Sequence, residues 1–165
     1  MTSGKTVRSC TLAAFAMASA VLVALPGTAN ALTAKQLVGT WRLVSTTNTN
    51  AQGASVEPFG PHPLGSITFD AHGHFTQVIA SAEAPTPANK DQHHVIAEFG
   101  NYSVKDGGKT LAIHIIGSST QSLDGKEADR NVSLLANGDM KIQNSSASAR
   151  SVGTAHVEAI WRRLD

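Results

Sequence analysis

The chain has 165 residues with 13 basic and 12 acidic side chains, a formal charge of +1, and only 5% aromatic residues. Its basic residues are scattered, which excludes the basic stripe of a nucleic-acid binder and the polybasic cluster of an anionic-membrane binder. One cysteine, Cys10, excludes a disulfide framework.

In chain order, Lys5 and Arg8 precede an apolar run over 11–25, then Pro26-Gly27 and Ala29-Asn30-Ala31. This is the layout of a secretory signal with an Ala-x-Ala site, so residues 1–31 are expected to be a signal peptide cut before Leu32. The run of about fifteen apolar residues is short for a span that needs roughly 20, so no stable membrane insertion is expected after cleavage. Cys10 precedes the run, so it does not mark a lipoprotein anchor. Residues 32–165 form one domain, and loss of Lys5 and Arg8 brings its formal charge to −1. A mature chain without thiols suits a secreted or periplasmic protein, held together by packing alone.

Thr33-Ala34-Lys35-Gln36 fits a capping box and predicts one helical turn. It leads into a strand over 37–49, in which Leu37, Gly39, Trp41, Leu43 and Ser45 share one face by the period-2 rule. Trp41 brings a large apolar surface and one N–H that needs a partner, while Gly39 lets a neighbour come close. Pro58, Pro61 and Pro63 mark 56–63 as an irregular connection or protected edge. Strands over 64–70 and 74–80 form a hairpin across Ala71-His72-Gly73, the second placing Phe75, Gln77 and Ile79 on one face. The segment 81–92 carries Pro85 and Pro87 and reads as a lid loop, with a helical turn through His93, His94, Val95 and Ile96. Further strands are expected over 99–104, 110–117, 128–135, 140–144 and 152–163, separated by polar or glycine-containing turns. Eight strands with short turns are the pattern of an all-β, up-and-down antiparallel barrel.

Gly39-Thr40-Trp41-Arg42-Leu43-Val44-Ser45 after a helical turn, Pro58-Phe59-Gly60-Pro61, and the closing Trp161-Arg162-Arg163 resemble the lipocalin-like domain family of bacteria and fungi, within the lipocalin superfamily. The resemblance covers nearly all of the mature chain. It implies an eight-stranded barrel whose closed end is plugged by Trp41 beside Gly39, with Arg162 or Arg163 lying over the indole. The chain departs from the secreted lipocalins in having no Thr-Asp-Tyr-like middle motif, no disulfide and no long helix after the last strand.

An eight-stranded barrel is just wide enough to be filled or to hold one small ligand. Few bulky aromatics and many small residues favour a cavity, so the first expectation is an exported protein that binds or carries a small hydrophobic molecule. Phe69, Phe75, Gln77, Ile79, Tyr102, Ile113, Ile115 and Arg130 are its expected lining, with Tyr102, Arg130 and Asn131 as candidate polar donors. The alternative is a barrel enzyme of isomerase or cyclase type. His114, His156 and Glu158 would supply acid–base chemistry if their strand faces looked inward. A third class is an adhesive envelope protein with a solid barrel and an outer apolar patch. His72-x-His74 and His94-x-x-x-Glu98 lack a third converging ligand, so no metal is expected. No haem ligand, nucleophile motif, phosphate loop or dinucleotide fingerprint points to a cofactor.

Overall fold

The structure, a computed structural model, describes Met1 and residues 32–82, 95–144 and 156–164. The signal segment with Cys10, most of the expected lid with His93 and His94, and residues 145–155 at the expected start of the last strand lie outside the described residues. Among the described residues no helix is long and apolar enough to cross a membrane.

A four-residue helix, α1 (Ala34–Leu37), opens the domain, and the Gln36 side-chain oxygen accepts the Thr33 backbone N–H at 2.8 Å and its hydroxyl at 2.9 Å. The strands are β1 (Gly39–Thr49), β2 (Ser55–Val56), β3 (Leu64–Phe69), β4 (His74–Ala80), β5 (Val95–Lys105), β6 (Thr110–Ser118), β7 (Glu127–Leu134), β8 (Met140–Asn144) and β9 (His156–Leu164). Successive strands from β3 to β9 pair antiparallel, and β1 pairs with both β3 and β9, so eight strands close into a barrel. The two-residue β2 is an addition within the proline-rich connection, paired to the end of β1. A 3-10 turn, Gln121–Leu123, lies in the β6–β7 loop.

Two elements differ from the sequence expectation. Val95 and Ile96 belong to β5 and pair with Ala80 and Ile79, where a helical turn was expected. β-branched residues opposite a preformed strand gain ladder hydrogen bonds and cross-strand packing that an isolated helical turn cannot match. In β1 the register against β9 shifts between Leu43 and Ser45. Val44 is the extra residue of a bulge, and the alternation beyond it is inverted. Thr46 is therefore buried at 5% exposure while Ser45 is not, the reverse of a regular strand.

Burial separates the two faces. Trp41, Leu43, Ile67, Phe69, Phe75, Tyr102, Leu111, Val132, Met140 and Trp161 form one core, filled most densely at the end where α1 and the β3–β4, β5–β6 and β7–β8 hairpins lie. Phe69 and Tyr102 meet edge-on at 4.8 Å, and the Tyr102 hydroxyl donates to the Asp70 carbonyl at 2.8 Å. The Asp70 carboxylate organises the β3–β4 turn, accepting the His72 and His74 backbone N–H groups at 2.8 Å and facing His74 Nδ1 at 2.8 Å. The His74 backbone N–H, then its ring, hold the Asp70 carboxyl down at about 2. A carboxyl depressed below its unfolded value favours folding at higher pH and loses that contribution as pH falls through its folded value. An NMR titration is expected to place the Asp70 midpoint at about 2. In His74→Ala most of the depression is expected to survive, because the backbone donor remains; a midpoint at the ordinary carboxylate value would show that the ring dominates.

The barrel interior as candidate functional site

The site is built from strand alternation. Cross-strand pairs Phe69–Phe75, Ile67–Gln77, Gly65–Ile79, Gln77–Glu98, Ile79–Ile96 and Tyr102–Ile113 share the inner face, and Leu111–Arg130, Val132–Ile142 and Arg130–Asn144 continue it. The register thus places Phe69, Phe75, Gln77, Ile79, Tyr102, Ile113, Ile115 and Arg130 on one continuous inward surface. Phe69, Phe75, Tyr102 and Ile115 are packed, whereas Gln77, Ile113 and Arg130 keep partial exposure. Asn131 is one residue out of phase, exposed on the outer face.

The closed end is made by contacts distant in sequence. Trp41 is 1% exposed and its indole N–H donates to the Leu37 carbonyl at 2.8 Å, so α1 is the lid on its polar edge. The Arg163 guanidinium lies 4.0 Å from the ring centroid and donates to the carbonyls of Val38, at 2.8 Å, and Gln36. Gly39 has φ of 129°, and a Cβ there would lie 2.7 Å from Arg163 Nη1. The glycine is needed for both its backbone and the seat of the guanidinium. Arg162 points the other way. On the outer face it forms a two-pronged pair with Asp139, Nε to Oδ1 at 3.0 Å and Nη2 to Oδ2 at 2.9 Å, and these hydrogen bonds hold the Asp139 carboxyl below its ordinary value. Of the two arginines expected over the indole, Arg163 occupies that place and Arg162 does not.

The opposite end carries a polar group that the strand boundaries had hidden. Glu98, on β5, faces inward beside Gln77 and is coupled electrostatically to Arg130. Burial raises the Glu98 carboxyl above its ordinary value, and the Arg130 charge opposes that rise. Burial lowers the Arg130 guanidinium, which Glu98 and then Asp129 counteract. The signal was present, because Glu98 shares parity with Tyr102, but a strand begun at Phe99 excluded it.

The expected acid–base residues lie on the outer face of the barrel. His114 pairs across the sheet with Asn101 and Glu127, both exposed, and its Nδ1 lies 3.0 Å from the Glu127 carboxylate on the outside. His156 and Glu158 also face out, joined by Gln143 Nε2 at 3.2 and 2.8 Å. The three residues do not converge on the interior, because alternation from the buried Ile115 and Trp161 fixes them on the other face. Among the described residues no group of three His, Cys, Asp or Glu side chains could hold a metal. An open groove of about 430 Å³ lies outside the barrel wall, lined by Arg42, Pro63, Leu64, Ser66, Val78 and Leu164 among others.

Residues 38–164 match the family model described as Lipocalin-like domain. The chain belongs to the lipocalin-like domain family. No curated protein matches this lipocalin-like chain. A solved structure described as "Structure of EF1p2_mFAP2b bound to DFHBI" is similar with a TM-score of 0.43 and 18% identity, covering 79% of this chain and 96% of the other.

Proposed function

We propose that this lipocalin-like protein is exported and binds or carries a small hydrophobic molecule inside its barrel. The observation that carries the reading is the contrast between the two halves of the interior. Around Trp41 and Trp161 the inward side chains are fully packed. Toward the other end Gln77, Ile96, Glu98, Ile113, Arg130 and Ile142 face inward yet stay partly exposed. Inward side chains that retain contact with solvent line a space, and a largely apolar lining with a few polar groups is what small-molecule sites share. Phe75, Ile79, Ile113 and Ile115 supply the apolar surface and Gln77 and Arg130 the polar contacts.

Two measurements test it. Native mass spectrometry of the protein purified from its own host is expected to show an adduct that organic extraction removes, and a hydrophobic dye is expected to bind the extracted protein in competition with that extract. No adduct, together with no dye binding across a hydrophobic panel, would overturn the carrier reading. For export, the intact mass of the same preparation is expected to begin at Leu32; a mass retaining residues 1–31 would refute cleavage there.

A further inference from the structure

We infer that the molecule held in the barrel presents a hydrogen-bond-accepting oxygen, a carbonyl or carboxylate, to the inner wall formed by β8, β9 and β1, where the Thr46 hydroxyl and the Asn144 amide nitrogen have no partner among the described residues. The inference rests on the binding reading above and adds the chemistry of the ligand's head.

Asn144 ends β8 on the inward face, 9% exposed. Its Oδ1 accepts the Val157 backbone N–H at 2.6 Å, which fixes the amide, since a flipped group would set N–H against N–H. The Nδ2 donors are thereby turned away from that N–H, and Nδ2 has no hydrogen-bond partner among the described residues. Thr46, 5% exposed, is brought inward by the Val44 bulge, and its Oγ1 also lacks a partner among the described residues. The two residues flank one stretch of wall. Thr46 stands opposite Ala159, which stands opposite Ile142, and one inward step along β8 from Ile142 is Asn144. Ala159 presents only a methyl group between its larger neighbours. One inward step along β9 in the other direction is Trp161, 1% exposed, where the packed end begins.

Buried polar groups are almost always paired in native proteins, so two such atoms flanking one stretch of wall call for a complement. An amide NH₂ only donates, and a hydroxyl can donate, so the complement is an acceptor. Arg130, the cross-strand partner of Asn144, borders this wall on β7, with its charge coupled to Glu98. The facing wall presents hydrocarbon at Ile79, Ile96, Ile113 and Ile115, with Gln77 and Glu98 as its inward polar groups. The arrangement suits an amphipathic molecule whose oxygen head meets β8–β9–β1 while its apolar body lies against β4–β6.

The test uses the mature chain and three probes of one shape: acetylnaphthalene, ethylnaphthalene and naphthoate, with affinities from calorimetry. Acetylnaphthalene is expected to bind about tenfold more tightly than ethylnaphthalene, the order of one net hydrogen bond. That preference is expected to fall by at least half in Thr46→Val, which keeps shape and removes the hydroxyl. It is expected to fall likewise in Asn144→Asp, which keeps an oxygen for Val157 and removes the donors. Thermal melts check that both variants fold, and the wild-type comparison stands without them. Naphthoate exceeding acetylnaphthalene would identify the head as a carboxylate; the reverse order would identify a neutral carbonyl. Equal affinities for acetylnaphthalene and ethylnaphthalene, with naphthoate no tighter, would overturn the inference while leaving apolar binding intact. No binding by any probe would remove the carrier reading and the inference with it.

Discussion

Trp41→Ala is expected to destabilise the barrel by about 3–5 kcal/mol, the range for deleting a large buried aromatic side chain. Trp41 is 1% exposed, so the deletion leaves a cavity instead of a dimple open to water. The loss extends beyond the ring. The Leu37 carbonyl would lose its indole donor, and the Arg163 guanidinium would lose the π face 4.0 Å away. Trp41→Phe separates these contributions. It keeps most of the apolar surface and a face for the cation, and it is expected to cost about 1–2 kcal/mol through the missing N–H and the smaller ring. Gly39→Ala attacks the same assembly from the other side, because its Cβ would lie 2.7 Å from Arg163 Nη1 at a backbone φ of 129°. Urea unfolding read by β-sheet circular dichroism measures all three, with a common slope confirming that the denatured state is unchanged. A cost below about 1 kcal/mol for Trp41→Ala would mean that the indole is not what closes this end.

The parts of this molecule legible in the sequence are those governed by short-range rules. The β3–β4 hairpin follows from a turn between two alternating runs, and the expected 64–70 and 74–80 differ from the observed strands by one residue. Gly39 and Trp41 are two apart, so one strand places both at the closed end. Arg163 could not be separated from Arg162 by that reasoning, because both follow Trp161 directly. Parity counted from the buried Trp161 settles it only once the β1–β9 pairing fixes which residue meets Trp41. Bulges are the harder case. One extra residue at Val44, and another on β6 where the pairing shifts between Phe99 and Gly100, invert the faces downstream. A Cβ at Gly100 would lie 1.9 Å from the His114 carbonyl, so the second irregularity depends on a glycine whose partner strand is invisible in sequence. The Val44 bulge is why Thr46 was not legible as an inward group, whereas Glu98 was lost to a strand boundary set at Phe99. A polar residue in a strand belongs to the interior or to solvent according to register, and register is set by long-range pairing.

Arg130→Met is expected to cost about 3 kcal/mol at neutral pH, at the lower end of the range for removing one member of a buried charge pair because the site is partly open. Arg130 is the charge that opposes the burial-driven rise of the Glu98 carboxyl, so its removal lets Glu98 climb further above its ordinary value. The sign of the pH dependence follows. A carboxyl whose folded value is raised favours folding fully at pH below its unfolded value, and that contribution is lost as pH rises through the folded value. The Arg130→Met deficit is therefore expected to be largest at neutral pH and to shrink on acidification toward about pH 4, the unfolded value of a glutamate. Glu98→Gln removes the titrating group, so Arg130→Met/Glu98→Gln is expected to recover most of the lost stability at pH 7 and to show no such slope. Chemical denaturation of the four proteins at several pH values gives the full cycle. A deficit independent of pH, or one not relieved by Glu98→Gln, would mean that Arg130 acts on the barrel through packing and not through the interior carboxylate.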